Sequence, residues 1–150
     1  MISALHVGNT ILKRGQAEDI EITPMKLQKL LYIVYKEYYK RTNEALFAER
    51  FEAWKYGPVI TSVYDTFYAY GENAIQEMGV SPDGSVCVVK QNNANVFTYV
   101  LDDMWNKYKR YSGIQLSAMT QQHGGAWAKA VATGTQLLKD EDIKEERNFV

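Results

Sequence analysis

His6 and His123 are the imidazoles with which this chain could run general-base or nucleophilic chemistry. A catalytic triad needs a hydroxyl or thiol nucleophile, a histidine base and a carboxylate that orients it. His123 follows Ser117 and Thr120 closely, but neither hydroxyl sits in the glycine pattern of a nucleophile elbow. The stretch reads as a polar residue closing a helix ahead of Gly124-Gly125, and a hydrolase centred on His123 is kept as an alternative. The acid groups Glu49/Glu52, Asp102/Asp103 and Asp140/Glu141/Asp142 have no recognised metal-ligand spacing, and helix ends or solvated faces account for them. Cys87 is the lone cysteine, which excludes an internal disulfide and a four-cysteine zinc site and points to a reducing compartment. The glycines are scattered singly apart from Gly124-Gly125, so no phosphate-cradling loop is present. The expectation is a protein with no catalytic residues, metal or cofactor.

Lysines offer the other chemistry. Lys26, Lys29, Lys36 and Lys40 fall on one side of a helical wheel, where four cations could follow a phosphate backbone while Tyr32 or Tyr39 stacks on bases. The stripe contains no arginine, the usual leader in phosphate and base-edge readout. It also suits a solvated helix face, or a surface that meets an acidic protein. A nucleic-acid-binding regulator using these four lysines stands as the second functional reading.

The elements that would position these groups are mostly helical. Residues 2–15 read as a short helix contributing Leu5, Ile11 and Leu12 and ending near Gly15. A clearer helix opens with Thr23 as N-cap and Pro24 at its first position, where the missing N–H costs nothing, and runs to about Arg41. Leu27, Leu30, Leu31, Val34, Tyr35 and Tyr38 form its apolar arc, opposite the lysines. Glu49 to Tyr56 reads as a strand or ordered loop stopped by Gly57-Pro58. Val59 to Tyr70 resumes helical spacing through Val59, Val63, Phe67 and Tyr70, with Gly71 as the stop. Ser81-Pro82-Asp83-Gly84 is a turn signal ahead of Val86-Cys87-Val88-Val89, which predicts a small β-hairpin between Met78 and Lys90. Residues 95–111 predict a helix striped by Val96, Val100, Met104, Tyr108 and Tyr111 and ended by Ser112-Gly113. Shorter helices follow around Leu116–Gln122 and Ala126–Ala132, and the acids from Asp140 suit the start of a last helix. The fold class is therefore mainly α with minor β, a compact multi-helix domain with a small antiparallel hairpin or sheet.

The 150-residue chain carries a formal net charge of -1, so no global field draws it to nucleic acid or anionic lipid. With 46% hydrophobic and 23% charged residues it has the composition of an ordinary globular protein. No linker, repeat or boundary divides it, which predicts one domain over 1–150 with a charged tail from about 140. The first residues lack a secretory leader's pattern and no apolar run is long enough to span a bilayer, so a cytoplasmic location with no membrane contact is expected. Eleven tyrosines, three tryptophans and five phenylalanines supply both core and interface anchors.

Two stretches, TPMKLQKLLYIVY (23–35) and LFAERFEAWKYGPVITSVY (46–64), resemble the Panacea domain family, also called the SocA-like antitoxin or phage-associated GepA-like family. A weaker echo follows at Thr120, Gly125 and Trp127, while Tyr35 and Ala126 depart from the family's pattern. The resemblance implies a mostly helical domain, of bacterial or phage origin, that neutralises a protein toxin by direct contact; for some members it implies an adaptor that hands the toxin to a protease. A phage-encoded inhibitor of a host protein is a further reading of the same binding role. The candidate partner-binding residues are Trp54, Lys55, Tyr56, Tyr64 and Trp127. Leu27, Leu30, Tyr32, Gly57 and Pro58 are the structural part of the motif, with Gly57-Pro58 making a sharp corner that holds the aromatics.

Overall fold

Residues 2–92 and 95–149 are described by a computed structural model. Helices α1 (Ala4–Ala17), α3 (Thr61–Phe67), α4 (Val96–Tyr108), α5 (Gly113–Thr120) and α7 (Asp140–Glu145) all pack on one long helix, α2 (Pro24–Thr42). A two-stranded antiparallel sheet, β1 (Glu52–Trp54) with β2 (Gly57–Val59), adds a further neighbour, and α6 (Ala126–Thr133) lies between β1 and α7.

Helix α2 begins as its sequence dictates. The Thr23 hydroxyl accepts from the Lys26 N–H at 3.2 Å, Pro24 occupies the first turn, and Asn43 closes the far end in the left-handed conformation. Its second face corrects the expectation of a wet lysine stripe. Every residue from Lys26 to Lys36 is buried, with Lys26, Lys29 and Lys36 only 6%, 1% and 0% exposed, and Lys40 is half-buried. Helices close on both sides, and each lysine runs its apolar stem through the packing to reach an acceptor. The Lys26 amine donates to the Lys109 carbonyl at the end of α4, and Lys29 to the Pro58 carbonyl at 3.0 Å. Lys36 pairs with Glu146 at 3.0 Å, and Lys40 donates to the Lys144 carbonyl at 2.8 Å. Such a helix is a hub, and a phosphate-tracking face cannot be assembled from it. Tyr32 is fully buried and its hydroxyl donates to Glu146 at 2.9 Å, so it has no face free to stack on a base.

The β-structure forms elsewhere than between 78 and 90. The predicted turn exists, with Gly84 N–H bonded to the Ser81 carbonyl and Ser81 N–H to the Ser85 carbonyl, both at 2.8 Å. No ladder follows it, because α1 takes the place of a partner strand. Asn9 donates to the carbonyls of Gly79 and Cys87 and accepts the Gly79 N–H, while Thr10 accepts the Val89 N–H at 2.7 Å. The sheet instead pairs Glu52 with Val59, Ala53 with Pro58 and Trp54 with Gly57, and the reversal falls at Lys55-Tyr56. Gly57-Pro58 is thus the returning strand rather than the corner itself. Pro58 is tolerated because Ala53 sends its N–H outward to the Gln136 carbonyl at 2.8 Å, so no ladder bond is missing.

Helix α1 continues past Gly15 to Ala17, and Ser112-Gly113 starts α5 instead of ending α4, with Ser112 and Gln115 forming a reciprocal capping box. Val96 stays exposed; the buried side of α4 is Phe97, Val100, Leu101, Met104, Trp105 and Tyr108. The acids of 140–142 do lie in the first turn of α7.

Candidate protein-binding groove

The β1–β2 reversal lifts Tyr56 to the tip of a hairpin, where it is 54% exposed with the Lys55 amine 5.4 Å from its ring centre. Behind the tip the rings are interlocked. Trp54 meets Tyr64 edge-on at 4.8 Å between centroids, and Tyr64 meets Tyr68 at 5.6 Å. Trp54 donates its indole N–H to Glu52 at 3.0 Å, and Trp127 donates its own to the Trp54 carbonyl at 2.7 Å. Trp54, Tyr64 and Trp127 are therefore half-buried braces, with Tyr56 as the free ring.

Side chains from two helices fix the backbone of this hairpin. From α5, the Ser117 hydroxyl donates to the Tyr56 carbonyl, and Gln121 just beyond it donates to the Lys55 carbonyl at 3.2 Å. From α2, Gln28 makes a two-bond clasp with Ile60, donating to its carbonyl at 3.0 Å and accepting its N–H at 2.9 Å. Gly57 sits between them at φ +113°, against Thr120 and Lys29. The tip is held from below on both sides, so its shape precedes any partner.

An open groove of about 710 Å³ runs beside the tip. One wall is the hairpin with Tyr64; the other is made by the first turns of α2 and α5, ending in Ile114, which is 78% exposed. Lys29 lies in the lining, and burial pushes its amine down to about 7. That shift carries a pH signature. The unfolded chain's lysine keeps its proton up to about pH 10.4 while the buried amine releases it near neutrality, so the unfolded state binds more protons between those values and stability rises with pH. Urea unfolding should show stability increasing from pH 7 to 9, by at most about 1.4 kcal/mol per pH unit for this group. Lys29→Met should flatten that slope, with the residue carried by Lys26 and Lys36, whose amines burial also lowers. An unchanged slope would mean that Lys29 keeps its proton on folding.

Of the sequence-predicted binding residues, the groove collects Trp54, Lys55, Tyr56 and Tyr64, while Trp127 stands behind Trp54 outside the lining. Leu27 and Leu30 are core. Ile114 and Met25 are lining residues that pattern reading did not supply. Ile114 had a signal: it is an apolar residue two positions past a capping serine, out of step with the buried Leu116. The residues weighed for catalysis are otherwise engaged or apart. Ser117 and Thr120 donate to main-chain carbonyls and His123 is exposed. Among the described residues, no cluster of three or more His, Cys, Asp or Glu is placed to hold a metal, and no helix is long and apolar enough to cross a membrane.

A family profile described as "Antitoxin SocA-like, Panacea domain" matches residues 27–128. Antitoxin SocA of Caulobacter vibrioides (strain NA1000 / CB15N) is 31% identical over 157 aligned positions, which cover 99% of this chain and 84% of that protein. No solved structure matches the chain.

Proposed function

This chain belongs to the SocA-like antitoxin family of Panacea-domain proteins, and from that premise we propose that it neutralises a protein toxin in the cytoplasm by direct binding, with no catalytic step of its own. The docking surface in this reading is the hairpin tip and the groove beside it. The observation that carries it is Tyr56, an exposed aromatic on a backbone clamped by Ser117 and Gln121. Interface energy concentrates in a few such anchors, and a backbone already ordered gives up little entropy on binding. Ile114, exposed across the groove, gives the contact a second apolar point.

The burial of Lys26, Lys29 and Lys36 removes the basis for the nucleic-acid reading. A role as an adaptor that hands the bound toxin to a protease would use the same docking surface and add a second contact. A phage-encoded inhibitor of a host protein would differ only in its target.

The test is co-expression with the cognate toxin. Tyr56→Ala and Ile114→Asp should each lose protection, with affinity falling about 30-fold or more for an anchor residue. Circular dichroism and thermal unfolding of both variants should match the parent, because both side chains are exposed. Full protection by the double variant would place the docking surface elsewhere.

A further inference from the structure

We propose that the groove recognises the C-terminal carboxylate of the partner, with the last residue's apolar side chain seated against Ile114 and Met25. The inference rests on the groove being the docking surface and names what that surface selects. Its basis is an imbalance of charge around an apolar floor. Lys29 is 1% exposed, yet it takes part in none of the ion pairs among the described residues; its amine meets the Pro58 carbonyl, a neutral acceptor. Lys36, equally buried on the same helix, has Glu146. When protonated the amine carries three donors, so the Pro58 bond leaves capacity for an anion, whose charge would favour the protonated form.

The helix ends add to the same sign. The first turns of α2 and α5 abut, such that a Cβ on Gly113 would stand 3.0 Å from the Lys26 main-chain nitrogen and 3.2 Å from the Met25 side chain. Two N-terminal dipole ends are thereby brought together, an arrangement that an anion relieves. Lys55 contributes a further cation to the lining, and Glu72, beside Gly71, is the carboxylate that opposes them. Met25, Val59, Ile114 and the face of Tyr56 supply the apolar part. A ligand that offers a carboxylate beside an aliphatic group matches both features.

N-acetyl-leucine and N-acetyl-leucinamide, identical except for the charge, separate the two contributions. Titrated into the labelled full chain and followed by NMR, the acid should shift amides in 23–29, 54–59 and 112–114, with a Kd about tenfold below that of the amide. Glu72→Gln should tighten the acid and Lys55→Gln weaken it, neither altering the amide, and neither substitution disturbs the core because both side chains are exposed. Equal binding of acid and amide, shifts confined to other regions, or no binding of either compound would overturn the inference. If Tyr56→Ala abolishes protection while acid and amide bind alike, the docking reading stands and the carboxylate alone is lost.

Discussion

Replacing Glu146 with alanine should cost about 3–5 kcal/mol, the usual penalty for stranding a buried charge, and should loosen the whole C-terminal segment from α2. One carboxylate oxygen accepts the Tyr32 hydroxyl and the Ala126 N–H, both at 2.9 Å, and the other holds the Lys36 amine at 3.0 Å. Neither partner of the ion pair has any exposed side-chain surface. The Lys36 amine also lies 3.4 Å from the centre of the Phe149 ring, so the same cation secures the tail. With Glu146 gone, the ammonium loses its counter-charge and keeps only the Arg147 carbonyl at 3.5 Å and the Phe149 ring, while a phenol and the first N–H of α6 are left unpaired in the interior. A domain of this size has about 5–15 kcal/mol of stability, so urea unfolding should report the loss of about a fifth of it or more. Lys36→Met with Glu146→Leu should be less damaging than the single change, because it removes the charge along with its partner. A single variant within about 1 kcal/mol of the parent would show that the pair contributes nothing net.

The next largest effect is expected at Gly57. A methyl group there would stand 2.5 Å from the Thr120 hydroxyl oxygen and 3.3 Å from the Lys29 side chain, at a φ of +113° that L residues rarely adopt. Strain of about 1–3 kcal/mol adds to overpacking of about 1–3 kcal/mol. Gly57→Ala should therefore lose about 3 kcal/mol in thermal or urea unfolding and shift the hairpin tip. Gly71→Ala is the control, since Gly71 also has positive φ but nothing lies within 4 Å of its Cβ position; its cost should be backbone strain alone, about 1–3 kcal/mol, with no overpacking added. Thr120→Ala should recover part of the Gly57→Ala loss if the clash is real, and purely additive losses would assign the whole effect to backbone strain.

Local signals were legible and long-range ones were not. Thr23-Pro24 marked the start of α2, Gly71 the stop after α3, and the acids of 140–142 the first turn of α7, because capping is decided within a few residues. The lysine face misled, since periodicity reports polarity and cannot report that carbonyls at the ends of α4 and α7 come to meet the amines. Val86-Cys87-Val88-Val89 has strand composition, but its main chain bonds to Asn9 and Thr10 of α1, more than 70 residues away. The aromatic half of the groove could be read from the motif at 46–64. Its other half, the start of α5, reaches the site only through tertiary packing, which is why Ile114 escaped notice.

The fastenings of α2 carry a consequence for change over time. Lys26, Lys29 and Lys40 grip peptide carbonyls, not side chains, on Lys109, Pro58 and Lys144. A carbonyl is present whatever amino acid occupies the position, so the gripped segments can be rewritten without unhooking them from the hub. Gln28 on Ile60, and Ser117 and Gln121 on the hairpin, work in the same way. Such a chassis can exchange the exposed residues of its rim, Tyr56 and Ile114 among them, while its frame stays put. A lineage pressed by a changing adversary would need that division of labour.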